Sequence, residues 1–440
     1  MTIIKMIKKS MFRHGSAMLI LAAMLLAASD SWSQTSPVKV LGWWKSDSEA
    51  KAANLLSARL TQESIQWQVV TIPAGALGTD LKSRVLNGTA PDLFELKGPL
   101  LAGWSSLGVL TEFKPDKIIG KKVNGAPDNN NGKWDRMFFP QVTDLVRPGG
   151  HLVAVPLGIH RMNTLFYNRI VLQQYGLPVP TNWDQFTTVA NRLAREGVSP
   201  LAQSGEPWQI AALFEALLLS ESSPELYRRA FVARDPTAFS DMRFTRAMLR
   251  LKILKKFMAK PIREQSWVEV TRSVIKGDAA MMIMGDFAKG ELNAWGYTTD
   301  VNFGCVAVPQ TGRYHIYDID TLVMPKNEAR PMQQDEKIAQ LFVSPNVQAD
   351  YNVVKGSVPV LKNADQIKMD SCARNSWQIF SRGSASLVPS LARDMATDRV
   401  FKNAVTMELV RYFMDDSMPI VEAQHRFYQL AKAMQNVRPI

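Results

Sequence analysis

Between Val38 and Leu110 short apolar runs alternate with stretches of helical period, and that alternation narrows the fold more than any other feature of the chain. Val38 to Trp43 reads as a strand. Ser46 and Glu49 then make the S-x-x-E box that starts a helix, and Ala52, Leu55, Leu56 and Leu60 give it an apolar stripe. Gln66 to Ile72 reads as a second strand, "LGTDLKSRVLNG" as a second helix ending at Gly88, "PDLFELKGP" as a third strand and "LLAGWSSLGVL" as a further helix. Strand and helix in turn predict an α/β layer with a mainly parallel sheet. Ligands of such sheets sit beyond the carboxyl ends of the strands. Trp43, Trp44 and Lys97 fall at carboxyl ends, so the paired indoles are expected to face a ligand. The competing reading packs one indole inward and lays the other over an apolar edge.

The chain opens with Lys5, Lys8, Lys9 and Arg13 and no acid, followed by a purely apolar run from Ala17 to Ala28 and small residues up to Ser33. That order is a secretory signal peptide over residues 1–33. The apolar run is short for a bilayer span, which takes about 20 residues. Cleavage there removes four basic residues and Asp30, so the formal charge falls from +12 by three to +9. This excess is spread along the chain. No basic helix is interleaved with aromatics, which argues against a nucleic-acid partner. Cys305 and Cys372 lie in an exported chain, where disulfides persist.

The roughly 400 residues that remain exceed what one core holds and imply two domains or more. "NGAPDNNNGKWD" reads as a turn-rich surface excursion. "HLVAVPLGIHRMNTLFYN" is a long apolar run expected to cross between domains. "LPVPTNWDQFTTVANRLAREG" leads into a helix capped at Thr181 or Asn182, and residues 211–260 are mostly helical in pattern. "VIKGDAAMMIMGDFAKGEL" reads as a helix end, a turn at Gly277, a buried strand and a helix start at Asp286. The C-terminal third reads as helical apart from "KGSVPV".

The motifs "GWWKSDSEAKA", "PDLFELKGP", "VAVPLGIHRMNTLFYN", "EPWQ", "GDAAMMIMGDFAKGE", "YDIDT" and "VKGSVPV" occur in that order over nearly all of the mature chain. Together they resemble the periplasmic sugar-binding proteins of ABC importers, the large group that includes maltodextrin-binding proteins. The chain is most similar to bacterial glucose/mannose-binding proteins. The resemblance implies a two-lobe α/β binding-protein fold, with residues 34–156 and 305–355 in one lobe and 157–304 and 356–440 in the other. It implies a monosaccharide in the interlobe cleft, transient docking on a membrane permease, a periplasmic monomer, no cofactor, no metal and no enzymatic activity.

The chemistry agrees. A pyranose offers C–H faces to aromatic rings and a rim of hydroxyls to ionised side chains, whose hydrogen bonds are about twice as strong as neutral ones. Carried over residue by residue, the resemblance puts Trp43 and Trp44 on the sugar faces and Glu49 and Lys97 on hydroxyls. It adds His160, Trp208, Gln209, Asp286, Asp320 and Lys355. Each has a structural alternative. Asp286 can be an N-cap, Trp208 a core ring and Glu49 a capping-box member, while His160 and Arg161 can form an interlobe salt-bridge network.

Two positions depart from the family pattern: Phe287 stands where tryptophan is usual and Arg382 where histidine is usual. Arginine brings a permanent charge and a planar fork suited to carboxylates, so a sugar acid bound by Arg382 is the alternative to a neutral hexose. A glycoside hydrolase built on two of Glu49, Asp286 and Asp320 is a weaker reading, because no nucleophile motif or metal-ligand cluster accompanies them. A receptor that presents sugar to a sensor would look the same in sequence.

Overall fold

The computed structural model describes residues 36–42, 44–70, 79–119 and 130–435. The expected signal peptide, Trp43 and the first half of "NGAPDNNNGKWD" lie outside the described residues. The second half of that stretch begins a helix, Asn130–Met137, with Trp134 buried and stacked on Phe138.

The opening alternation folds as expected. Strand β1 (Val38–Leu41) pairs parallel with β2 (Trp67–Val70) and with β3 (Leu93–Glu95). Ser46 caps the helix Asp47–Gln62: its hydroxyl accepts from the Glu49 N–H, and the Glu49 carboxylate accepts from the Ser46 N–H at 3.1 Å. Two otherwise free donors are thereby satisfied, a contribution of about 1 kcal/mol. Ala52, Leu56 and Leu60 of the helix are buried.

The sheets are mixed rather than mainly parallel. The remaining strands are β4 (Val155–Arg161), β5 (Thr164–Asn168), β6 (Ser199–Ala202), β7 (Ala279–Met284), β8 (Phe303–Ala307), β9 (His315–Val323) and β10 (Leu387–Pro389). The first sheet runs β10-β9-β3-β1-β2, with β4 also on β9; the second runs β6-β7-β5-β8. β9 is antiparallel to both β3 and β4, and β5 is antiparallel to both β7 and β8. β9 enters the first sheet from the second, following β8 across the lobes. β9 and β10 also interrupt the region whose pattern reads as helical. In β9 the acids Asp318 and Asp320 mask the strand. In "KGSVPV" only Val358 pairs, as an isolated bridge to Ile159.

Each sheet carries its own buried apolar cluster. Membership changes between Ile159 and Met162, between Ile316 and Ile319, and between Leu387 and Val388, Met395 excepted. Three chain segments therefore cross between the lobes. The first lies in the long apolar run, as its pattern suggests. The others fall later than the boundaries read from sequence, because Val358, Val360, Leu361, Ala373 and Phe380 still pack with the first cluster. Cys305 of β8 is joined by a disulfide to Cys372 in the helix Ser371–Phe380, with Cα atoms 5.9 Å apart.

Candidate functional site

Between the lobes opens a cleft of about 850 Å³. Lys45, Glu49, Lys82, Lys97 and Trp104 line it from the first lobe; Trp208, Trp267, Arg272, Phe287 and Arg393 line it from the second, with Lys355 at its base.

The floor is an ionic network built on the crossing segments. Successive side chains of a strand alternate between faces, so Asp318 and Asp320 of β9 share one face while Ile319 packs into the first cluster. Lys97, two residues past β3, donates to both oxygens of Asp318 at 3.0 and 2.9 Å and to Asp320 at 2.5 Å; Glu95 is 2.8 Å away. His160 of β4 lies in register with Asp318. Its Nδ1 is 2.5 Å from Asp286 and its Nε2 3.2 Å from Asp320. Asp286 also accepts the Arg161 N–H at 3.0 Å. Lys355 pairs with Glu49 at 3.2 Å.

Burial opposes the charges of Lys97, His160, Asp320 and Glu95, and the partners decide the outcome. Burial would discharge Lys97, but Asp318, Asp320 and Glu95 hold it protonated above the ordinary lysine range. The same contest holds His160 at about 9, with Asp286 and Asp320 outweighing desolvation. Burial would protonate Asp320, yet Lys97 and His160 keep it well below the usual carboxylate range. For Glu95 burial wins over Lys97 and its carboxyl is pushed up. At neutral pH Lys97, His160 and Asp320 are therefore ionised and satisfy one another.

The wall is aromatic. Trp267 and Phe287 meet edge to face with centroids 4.9 Å apart, and Trp208 lies 6.3 Å from Phe287. Gly285 makes room for this arrangement: a Cβ there would stand 2.3 Å from the Phe287 ring. Trp208 donates its indole N–H to Glu206 at 2.8 Å. Arg393 lies against the wall, its Cζ 5.9 Å from the Trp208 centroid and 5.8 Å from that of Phe287, while its Nε donates to Asp318 at 3.0 Å. The turn that presents Arg393 is held by Glu215, a buried acid in the core helix Pro207–Glu221. Glu215 accepts from the Ser390 hydroxyl at 2.7 Å, the Leu391 N–H at 2.6 Å and the Tyr227 hydroxyl at 2.9 Å.

Of the residues singled out in the sequence, Glu49, Lys97, Trp208 and Lys355 line the cleft, and His160, Asp286 and Asp320 lie beneath it in the same network. Asp286 occupies an N-cap position, but its side chain makes no capping bond. Trp44 turns away: it lies 5.4 Å from Trp67 and packs with the first cluster. Gln209 is buried behind Trp208, donating to Glu206 at 2.7 Å and to the Gln265 carbonyl at 2.8 Å. Arg382 is exposed past the helix Ser371–Phe380 and does not line the cleft. The arginines that line the cleft are Arg272, Arg393 and Arg399. Glu95, Asp318, Trp267 and Arg272 also belong to the site, though none stands out in the sequence as Lys97 does. Asp318 had a signal, the i, i+2 spacing to Asp320 in "YDIDT", and Trp267 had one in its flanking capping box, Ser266 to Glu269. Arg393 had none.

Among the described residues no group of three or more His, Cys, Asp or Glu side chains could hold a metal ion, and no helix is long and apolar enough to cross a membrane.

The profile of the bacterial extracellular solute-binding protein family matches residues 45–344. A probable sugar-binding periplasmic protein of Brucella suis is 28% identical over 404 residues, covering 90% of this chain and 92% of the relative. The xylose/arabinose-binding protein XacG of Haloferax volcanii is 24% identical over 387 residues, covering 84% and 79%. Among solved structures, the bacterial solute receptor AcbH, described with an exclusive preference for b-D-galactopyranose, superposes with a TM-score of 0.74 at 19% identity, covering 91% of this chain and 99% of the receptor.

Proposed function

Since the chain belongs to the family of bacterial extracellular solute-binding proteins, we propose that its cleft binds a monosaccharide of glucose or mannose size and that the closed form delivers it to the permease of an ABC importer. One observation carries the reading: an aromatic wall and an ionised floor meet in a single interlobe cleft. A sugar ring stacks its C–H face on Trp208 or Trp267 and turns its hydroxyls to Lys97, Glu49 and Lys355. Relatives described as sugar-binding periplasmic proteins support the same reading.

The lobes rotate about the three crossings, a hinge closure that brings wall and floor onto the ligand from opposite sides. The family is one of binding proteins, and the acids that a hydrolase would need are committed elsewhere. Glu49 caps a helix and pairs with Lys355, while Asp286 and Asp320 share His160. Residues 1–33 direct export to the periplasm, where the receptor works as a monomer without cofactor.

The reading is tested by thermal unfolding against a panel of neutral monosaccharides and sugar acids. A ligand that binds only the folded state stabilises it by about 4 kcal/mol at 1,000-fold saturation. A raised melting temperature with one sugar of that size and not its epimers is expected. No shift with any sugar, neutral or charged, refutes a sugar receptor.

A further inference from the structure

The sugar reading leaves the ligand's charge open, and Arg393 bears on it. Its Nε is spent on Asp318 and its guanidinium rests against Trp208 and Phe287. Both terminal amino groups have no hydrogen-bond partner among the described residues. The side chain is 32% exposed and lines the cleft, whereas Asp318 is fully buried. Asp318 has both oxygens bonded to Lys97 already. A guanidinium anchored through Nε and steadied by ring faces keeps its end-on edge free for two parallel N–H···O bonds, the arrangement that suits a carboxylate.

The surroundings favour the same charge. Arg272 and Lys82 line the cleft without a carboxylate partner among the described residues; Arg272 instead lies over Trp295, 4.3 Å from its ring. The acids nearest Arg393 in sequence are engaged elsewhere, Asp394 by Lys402 and Asp398 by Arg234.

We propose that the ligand of this cleft is an acidic sugar, a uronic or aldonic acid whose carboxylate pairs with the terminal amino groups of Arg393. The proposal rests on the sugar-receptor reading and narrows it.

Calorimetric titration of the exported protein with D-glucose, D-glucuronate, D-galacturonate and D-gluconate tests it at about 0.02 M and about 0.3 M salt. At least one acid is expected to bind about tenfold or more tighter than glucose, with an affinity that falls as salt rises. Arg393→Gln is expected to remove that preference, lowering the affinity for the acid about tenfold and by more than it lowers the affinity for glucose. Arg272→Gln, which breaks no ion pair, is expected to weaken the acid severalfold and serves if the Arg393 variant fails to fold. Glucose binding tighter than every acid overturns the proposal and leaves the receptor reading standing, as does a preference for acid that survives both substitutions. Binding of no sugar in the panel overturns both.

Discussion

His160 couples the two lobes electrostatically, and its protonation can be read as stability. It bridges Asp286, which opens a helix of the second lobe, and Asp320, whose neighbour Ile319 packs in the first. Burial alone would lower its basicity, yet the two carboxylates raise it from an ordinary 6.5 to about 9. A histidine with a raised folded value adds stability that is present in full below its unfolded value. That stability is lost as pH climbs through the folded value. The window is therefore about pH 6.5 to 9. At 1.36 kcal/mol per unit the contribution amounts to roughly 3 kcal/mol.

The perturbation is His160→Gln. Glutamine keeps a donor but cannot carry charge; Asp286 retains the Arg161 N–H and Asp320 retains Lys97. Guanidinium unfolding of both proteins between about pH 6 and 10 gives a free energy at each pH by linear extrapolation. The difference between wild type and variant is expected to shrink by roughly 3 kcal/mol across that range, most of it between about pH 7 and 9. Taking the difference removes groups common to both proteins, among them Glu215, whose burial pushes its carboxyl up to about 7. A difference that stays constant with pH, or an imidazole that NMR finds titrating below 7, would refute the reasoning.

Three further outcomes follow from the same network and its supports. Asp318→Asn strips Arg393 of its anchor and leaves Lys97 one carboxylate short, so denaturant unfolding should register a loss of about 3 kcal/mol. Glu215→Ala takes the buried acceptor from the Ser390 hydroxyl and the Ala392 N–H, leaves the Leu391 N–H only the Tyr227 hydroxyl, and frees the turn carrying Arg393; a loss of about 3 kcal/mol should appear together with weakened ligand binding. Replacing Cys305 and Cys372 by serine opens a loop of 67 residues' separation and should cost about 4 kcal/mol on the chain-entropy account. That deficit should match the effect of reductant on the wild type.

Local signals were legible wherever a residue acts on its own neighbours. Ser46 and Glu49 cap the first helix, Asn182 caps the helix Trp183–Arg195, and Gly277 ends another in the left-handed region at φ 87°. Lys97 was readable because it follows a strand end, where ligands of α/β sheets gather. What depends on distant partners was not legible. Trp44 is drawn inward by Trp67, twenty-three positions away on the neighbouring strand, a pull that no reading of "GWWK" alone contains. Strand β9 was hidden by acids that are buried only because Lys97, His160 and Arg393 arrive from elsewhere to neutralise them. Arg393 itself lies in "LARDMATD", whose composition is that of a surface turn. Its role is set by Glu215 more than 170 positions upstream.

The disulfide has a mechanical meaning. Cys305 belongs to the second sheet. The helix of Cys372 lays Ala373 and Phe380 against the first cluster, and both cysteines border the small cavity that Arg161 and Asp286 share beside the crossings. A covalent pin at the axis of a joint resists sliding and leaves rotation nearly free, because a given swing displaces the pin little and the distant rim much. On the proposed hinge closure, rotation about the crossings is then the motion the pin opposes least. Freed of the pin, the same three strands would also allow shear and twist, and the wall would meet the floor in more than one register.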